Sequence, residues 1–242
     1  MPEPVGLEVC VDTIDGVLAA RVGGAVRVEL CASLSEGGLT PSVGLMQAAA
    51  RAGIPCFAMI RPRSGLFHFS GEEAAIMLAD VAAARAAGLA GVVLGAQAAD
   101  GGLDLALLRR LRDAAAGMAA TLHRVIDVVP DQIAALEQAM SLGFERVLTS
   151  GGQPEAPQGR EMIRAMVARA EGRIGVMPGC GLTPVNVAAL VAATGVREVH
   201  ASCAVRASGD RAFSDFDPPG GRMVTSEAEV RAMVTALGSG QD

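Results

Sequence analysis

The chain has 242 residues, enough for one α/β barrel or two small domains, and 51% of them are hydrophobic. Its formal net charge of −6 and its lack of Trp and Tyr argue against a nucleic-acid partner, since phosphate contacts need a basic surface and bases stack on aromatic rings. The five Cys, without dense spacing, indicate reduced thiols and a cytoplasmic protein.

Apolar and polar residues alternate in eight short runs, and a helical pattern follows each run. Two-residue alternation is typical of strands, while a capping box such as Ser70 to Glu73 marks the start of a helix. Thr40 followed by Pro41 predicts the start of the second helix, and Pro130 predicts the start of the fifth. The predicted strands are residues 5–11, 25–30, 55–61, 91–95, 119–124, 145–149, 173–177 and 197–201.

Eight strands alternating with eight helices predict an α/β fold, a single-domain TIM (β/α)8 barrel covering residues 1–242. An open, doubly wound sheet is the competing fold, but it needs fewer strands or a visible break in the chain. The segment at about 205–225 is longer than a barrel needs after its last strand, and we expect an irregular lid or dimer contact there. The uncharged run 174–196 imitates a membrane span, but Pro178 and Gly179 break it, so we expect no membrane segment.

The polar faces of the predicted strands carry charges, imidazoles and thiols. If the aliphatic faces meet the helices, these polar side chains point into the barrel near its carboxyl-terminal mouth, where barrel enzymes have their active sites. Buried charges are costly unless they are paired or used, so the alternative is an ion-pair network that only fills the barrel. The inward set comprises Glu8, Cys10, Arg27, Glu29, Cys31, Arg61, His123, Glu198 and His200.

Glycine-rich turns follow predicted strands six and seven. The first contains Ser150, Gly151 and Gly152, and the second contains Gly179 and Gly181. Backbone N–H groups in such turns bind phosphate or carboxylate, helped by the start of the following helix. Such turns are also ordinary loop chemistry, so the sequence leaves open both an anion-binding site and a simple connection.

Several motifs together resemble the CutC family. They are Leu7 to Cys10, Glu29 to Cys31 with Gly37 to Ser42, Met59 to Arg63, His123-Arg124 with Asp127, Leu148 to Gly152, and Val199-His200. The resemblance runs from predicted strand one to strand eight, and it departs from the family pattern at Leu66 and Cys180. It implies a TIM barrel, a cytoplasmic homo-oligomer and a role in copper homeostasis.

Copper binding is the first functional hypothesis, and it rests mainly on this resemblance. Cu(I) favours thiolate ligands. Cys10 and Cys31 end adjacent predicted strands with the same inward parity, so both can reach one ion as metal ligands. The alternative is that they are small buried hydrophobic residues, which is common for free Cys.

An enzyme is the second hypothesis: a lyase, isomerase or hydrolase acting on a small sugar-like or phosphorylated metabolite. Carboxylates can transfer protons, an arginine can hold an anionic group through two hydrogen bonds, and histidines can relay protons. A sensor that binds a metabolite without turnover is a third alternative. The expected catalytic residues are Glu8, Glu29, Arg61, His123, Arg124, Asp127 and His200.

Overall fold

Eight strands form the centre of the protein in the computed structural model, which describes residues 5–207 and 221–238. The strands are β1 (Gly6–Val11), β2 (Arg27–Leu30), β3 (Cys56–Met59), β4 (Gly91–Leu94), β5 (Ala119–Leu122), β6 (Arg146–Thr149), β7 (Gly175–Pro178) and β8 (Glu198–Ala201). Two further short strands, β9 (Ala204–Arg206) and β10 (Met223–Thr225), precede the last helix. The helices are α1 (Ile14–Gly23), α2 (Val43–Ala50), α3 (Gly71–Ala87), α4 (Leu105–Ala114), α5 (Gln132–Ser141), α6 (Arg160–Ala170), α7 (Val187–Thr194) and α8 (Glu227–Gly238).

The eight central strands are all parallel. From β1 to β7 each strand pairs with the next along the chain, and β8 returns to pair with β1. Strands β7 and β8 pack side by side, and within the described residues this seam has no hydrogen-bonded ladder. The fold is therefore a nearly closed TIM (β/α)8 barrel, which confirms the predicted fold class and excludes the open doubly wound sheet.

Two apolar layers follow from the alternation along the strands. The outer layer joins the barrel to the helices and contains Leu7, Val9 and Val11 of β1. A small inner layer fills part of the barrel, and its buried members are Cys31, Phe57, Met59 and Val93. Because the aliphatic face of β1 belongs to the outer layer, the alternate residues of that strand are directed into the barrel.

Helix starts agree with the sequence in one case and differ in another. The predicted capping box is present, because the side chain of Ser70 accepts from the N–H of Glu73 and the Glu73 carboxylate accepts from the N–H of Ser70. The predicted start at Thr40 is wrong, since Ser42 caps α2 instead. The Thr40 hydroxyl accepts a hydrogen bond from the backbone N–H of Arg61 at 2.9 Å, so it links the loop before α2 to the residues that follow β3. Similarly, α5 begins at Gln132 with Asp131 as its cap, two residues beyond the predicted start at Pro130.

Only the ends of the segment at about 205–225 belong to the described residues. There β9 and β10 form an antiparallel ladder, with Val205 opposite Val224. The rest of the expected lid or dimer contact, residues 208–220, lies outside the described residues. The uncharged run 174–196 contains β7, a turn and α7, and no helix in the described part of the chain is both long and apolar enough to cross a bilayer.

Candidate functional site

Glu8 is the fully buried centre of a polar network inside the barrel. It lies on β1 between Arg27 of β2 and His200 of β8, and the strand registers place both beside it. One carboxylate oxygen accepts from Arg27 Nε, and the other lies 2.8 Å from His200 Nδ1. Burial alone would raise the pKa of Glu8, but the hydrogen bond from His200 and the charge of Arg27 outweigh it and lower the pKa to about 2. Glu8 is therefore a carboxylate at neutral pH.

Three side chains of neighbouring strands converge above this carboxylate. Cys10, Glu29 and His200 each offer one ligand atom, and these atoms all lie within 4.8 Å of one another. His200 Nε2 is 3.9 Å from a Glu29 oxygen, while its other ring nitrogen is held by Glu8. When the Nδ1–H of a histidine donates to a carboxylate, this hydrogen bond fixes the orientation of the ring and makes Nε2 more basic. Metal-binding histidines usually have this arrangement.

Burial and mutual charge shift the pKa values in this set. Burial alone would lower the pKa of His200, but the neighbouring Cys10 and Glu29 raise it well above its ordinary value. Burial is the largest effect on Glu29 and raises the pKa of its carboxyl, although the charge of His200 opposes the rise. A positive charge on His200 and a negative charge on Glu29 therefore stabilise each other inside the barrel.

Cys31, the second predicted metal ligand, lies next to this set and outside it. Its sulfur donates to a Glu29 oxygen at 3.5 Å, and its side chain belongs to the inner apolar layer. Burial, reinforced by the charge of Glu29, raises the pKa of the Cys31 thiol well above its ordinary value. Cys10 is partly exposed, and its sulfur lies 3.9 Å from the carbonyl oxygen of Ala201. Of the two thiols, Cys10 is thus the one directed to the mouth.

Arg61 follows β3, and loop carbonyls surround its guanidinium group. Nη1 donates to the carbonyl oxygens of Glu36 at 2.9 Å and Gly38 at 3.2 Å, and Nη2 donates to that of Gly65 at 2.9 Å. Gly37 and Gly38 have positive φ angles, and a Cβ on Gly37 would lie 3.2 Å from Nη1. The glycine pair therefore lets the loop wrap closely around the guanidinium group.

His123 occupies a different position from the predicted one. Strand β5 ends at Leu122, so the prediction that His123 and Arg124 lie within the strand is wrong. His123 instead caps a short 3-10 helix (Arg124–Asp127), and its Nδ1 accepts from the N–H of Val125 at 3.1 Å. Local hydrogen bonding between a side chain and the following backbone favours such a turn over a continued strand.

The short 3-10 helix brings Arg124 and Asp127 together with the first glycine-rich turn. Arg124 Nε donates to Asp127 at 2.9 Å, and its Nη2 donates to the Ser150 hydroxyl at 2.8 Å. The N–H groups of Ser150 and Gly152, at 3.0 and 3.1 Å, donate to the Asp127 carboxylate. The N–H of Gly151 donates to Thr149. Two of the three N–H groups of this turn thus hold a carboxylate of the same chain, and the third binds a neighbouring hydroxyl.

The second glycine-rich turn is packed against neighbouring side chains. The N–H of Gly179 donates to the Thr149 carbonyl at 2.9 Å, and a Cβ on Gly179 would lie 3.3 Å from His200. Gly181 has a φ of +70°, and a Cβ there would meet the side chain of Glu155 at 2.7 Å. Between them Cys180 also has a positive φ, of 75°. Anion binding by Gly179 and Gly181 remains a prediction.

A cavity of about 170 Å³ opens at the mouth between these groups. Phe67 lies in this cavity and contacts both His123 and Arg61. Its ring centroid is 4.7 Å from that of His123 and 5.2 Å from the guanidinium carbon of Arg61. Sequence reasoning missed Phe67, because a loop aromatic residue has no periodicity to place it. Six of the predicted site residues line the cavity: Cys10, Glu29, Arg61, His123, Arg124 and His200.

The other predicted site residues do not line this cavity. A larger cavity lies elsewhere in the molecule. That one, of about 520 Å³, lies beside the amino-terminal ends of β6 to β8. Two of its charged groups, Arg146 and Glu198, already bind each other at 2.7 Å, and its lining contains neither Cys nor His. Of these two cavities, the smaller one at the mouth is lined by Cys and His side chains.

Comparison with known proteins agrees with the fold. The sequence model of the CutC family matches residues 5–205. The chain belongs to the CutC family. The matched range contains β1 to β8 and every predicted site residue, while β10 and α8 follow it.

Relatives in the CutC family cover nearly the whole chain. A CutC family protein of Agrobacterium fabrum is 50% identical over 244 residues, covering 97% of this chain and 94% of the relative. One of Caulobacter vibrioides is 49% identical over 236 residues and covers 96% of both chains. The crystal structure of CutC from Streptococcus agalactiae, described as a candidate copper homeostasis protein, has a TM-score of 0.79 and 31% identity and covers 82% of this chain and 98% of that one.

More distant structures share the barrel alone. A thiamine phosphate pyrophosphorylase from Pyrococcus furiosus has a TM-score of 0.64 at 14% identity and covers 98% of both chains. At that identity the likeness concerns the fold, and one barrel fold supports many unrelated reactions. The chemistry of this CutC family member has to be argued from its own mouth residues.

Proposed function

We propose that this protein binds one copper ion as its cargo at the barrel mouth, through Cys10 and His200 with Glu29 as the third ligand. The observation that carries the proposal is the convergence of their ligand atoms within 4.8 Å. Thiolate and imidazole suit copper, whereas a carboxylate is a harder and weaker ligand for Cu(I). The carboxylate of Glu8 supports the proposal, because it holds Nδ1 of His200 and leaves Nε2 for the ion. The description of the Streptococcus agalactiae relative adds independent support.

Cys31 is the proposed second thiol of the same site. It shares Glu29 with the converging set, since its sulfur donates to that carboxylate at 3.5 Å. Burial and the charge of Glu29 raise the pKa of this thiol, so it carries its proton at neutral pH in the absence of a metal ion. Binding of copper should therefore release protons from Cys31 and His200, and we expect weaker binding in acid.

Competition with a chromogenic Cu(I) chelator under anaerobic conditions tests this proposal. We expect Cys10→Ser to weaken Cu(I) binding at least about tenfold and Cys31→Ser to weaken it less. Cys56→Ser is the matched control, because Cys56 is buried in the outer layer at the start of β3, away from the mouth. Unchanged affinity in both Cys10→Ser and Cys31→Ser would contradict the proposed site.

A small-molecule enzyme is the second candidate function, and one observation favours it. Glu29 Oε1, Arg61 Nε and His123 Nε2 are buried, have no protein partner among the described residues, and belong to side chains that line the mouth cavity. Unpaired buried polar atoms are rare and are typical of a site that receives a ligand. In this role Glu29 is the proton acceptor or donor, and Arg61 holds an anionic group.

The two functions predict opposite sensitivities. If the protein only binds copper, substitutions of thiols should matter and substitutions of Arg61 and His123 should not. If it is an enzyme or a metabolite sensor, the reverse is expected. A screen for thermal stabilisation by small metabolites and by Cu(I) separates them, because a ligand that binds only the folded chain stabilises it by RT ln(1 + L/Kd), where L is the free ligand concentration.

We further propose a cytoplasmic homo-oligomer. The five free cysteines support a reducing compartment. Leu66 and Val128 are more than half exposed in loops that follow β3 and β5, and such apolar side chains support contact with a second copy. Sedimentation equilibrium of wild type and Leu66→Ser checks the association, and a monomeric wild type would contradict it.

A further inference from the structure

Arg61 and His123 present two unused hydrogen-bond donors at one side of the mouth. Both side chains are more than nine-tenths buried, with 7% and 3% of their surface exposed. Arg61 Nε and His123 Nε2 have no protein partner in the described part of the chain, and both residues line the cavity of about 170 Å³. Since buried polar atoms are normally hydrogen-bonded, two unpaired donors that line one cavity offer binding groups to a ligand.

The hydrogen bonds of the His123 ring determine which nitrogen carries the proton. Nδ1 accepts from the N–H of Val125 at 3.1 Å, so it holds no proton itself. Burial and the charge of Arg61 lower the pKa of the ring to about 3, so it is neutral at physiological pH. A neutral imidazole has one N–H, which must then be at Nε2. His123 is thus a fixed hydrogen-bond donor rather than a relay of protons.

The charge of Arg61 has no carboxylate partner among the described residues. Its terminal nitrogens donate only to carbonyl oxygens, whereas Arg124 at the same cavity is already paired with Asp127. A buried charge without a counter-ion is unfavourable. An anion beside Arg61 would remove this cost, and it would accept from the neighbouring His123 at the same time.

The surroundings hold both donors in place. The ring of Phe67 packs against the His123 ring and beneath the Arg61 guanidinium group. Gly95, at the end of β4, leaves the space for the imidazole, because a Cβ there would lie 2.0 Å from His123 Cε1. Rigid support of this kind is typical of binding groups that must keep one orientation.

We propose that Arg61 and His123 bind the carboxylate of a small hydroxy acid. The inference extends the second candidate function and does not depend on copper. A carboxylate suits two adjacent donors, one of them charged. The hydroxyl is inferred from Glu29, whose unpaired Oε1 belongs to the lining of the same cavity and can bind it. A phosphate is less suited, because the amides of Ser150 and Gly152 that would bind it already hold Asp127.

Calorimetry and histidine NMR on the metal-free protein test the proposal. The probes are glycolate, D-lactate, L-lactate and D-glycerate, with inorganic phosphate and sodium chloride at equal ionic strength for comparison. We expect at least one hydroxy acid to bind and to shift the His123 Nε2 signal, which can be assigned because the chain has only 3 His. Arg61→Met and His123→Leu should each weaken that binding at least about tenfold.

Two further variants make the outcome decisive. Arg63→Met removes the same charge two residues away, where Arg63 is paired with Glu73 outside the cavity, and it should bind the probe as wild type does. His123→Gln keeps an N–H donor in a folded protein and should bind more tightly than His123→Leu. The proposal is overturned if no hydroxy acid binds, if phosphate alone binds, or if Arg61→Met and Arg63→Met behave alike. Because the chelator competition for Cu(I) is a separate measurement, failure of one proposal leaves the other standing.

Discussion

His123 should make the folded protein sensitive to acid at mildly acidic pH. Its ring is buried, and burial together with the charge of Arg61 lowers its pKa from the ordinary 6.5 to about 3. The folded chain holds a neutral ring, while the unfolded chain takes up a proton as the pH falls. The stabilising contribution is therefore complete above 6.5 and is lost progressively as the pH falls toward 3.

The expected size of this effect follows from the two pKa values. At about pH 5, which is about 1.5 pH units below the unfolded value, protonation of His123 favours the unfolded chain about 30-fold, or about 2 kcal/mol. At about pH 7 the same effect is only about 0.2 kcal/mol. The carboxylate of Glu8 adds little in this range, because its pKa changes only between 4.5 and about 2.

Urea denaturation of wild type and His123→Gln at about pH 7 and about pH 5 measures the effect. The free energy of unfolding of wild type relative to the variant should fall by about 2 kcal/mol between these pH values, while the contribution of His200 cancels in the difference. His68→Gln makes the same substitution at a histidine outside the cavity and serves as the matched control. An equal difference at both pH values would refute a neutral, buried His123.

Three other substitutions test the packing around the site. Gly95→Ala should lower the free energy of unfolding by about 1–3 kcal/mol, because its Cβ would overlap the His123 ring; an unchanged urea midpoint would contradict that crowding. Glu8→Gln should cost about 3–5 kcal/mol, measured by the same denaturation, since it leaves the buried Arg27 without its nearest carboxylate. Ser70→Ala should cost about 1 kcal/mol through loss of the capping box, and helix content by circular dichroism should otherwise stay as in wild type.

The alternation of residues along the strands was sufficient to predict the barrel and the direction of its inward side chains. On β1 the aliphatic residues form the outer layer, so Glu8 and Cys10 had to lie on the opposite face. The same reasoning placed Glu29 beside them, because neighbouring parallel strands in a barrel continue one interior surface. Whether a strand residue points inward depends on the alternation along its own strand. An error of one or two residues in the predicted ends of the strand does not change that alternation.

Positions beyond the strand ends could not be predicted in this way. His123 follows β5 in a polar stretch whose pattern fits either one more strand residue or a cap, and only the hydrogen bond to Val125 decides between them. The first glycine-rich turn has the chemistry of an anion site, yet the anion it holds is Asp127. Turn chemistry is the same for an external anion and for a carboxylate brought from elsewhere in the chain, so the sequence of the turn alone cannot separate the two.

A continuous series of ion pairs crosses the barrel interior, and it separates structural from functional roles. Arg146 and Arg27 both donate to Glu198, at 2.7 and 3.0 Å, and Arg27 also donates to Glu8, which holds His200. Up to this point each charged group faces one of opposite sign, so stability alone explains the series. At the mouth this pairing of opposite charges ends. Arg61 has no carboxylate partner in the described residues, and the Nε2 of His123 has no acceptor there. Arg146 Nη1 within the series is also buried without a partner among the described residues, so one unpaired atom does not by itself mark a ligand site. At the mouth, unpaired atoms of Glu29, Arg61 and His123 belong to side chains that line one cavity, and this grouping supports the proposed ligand.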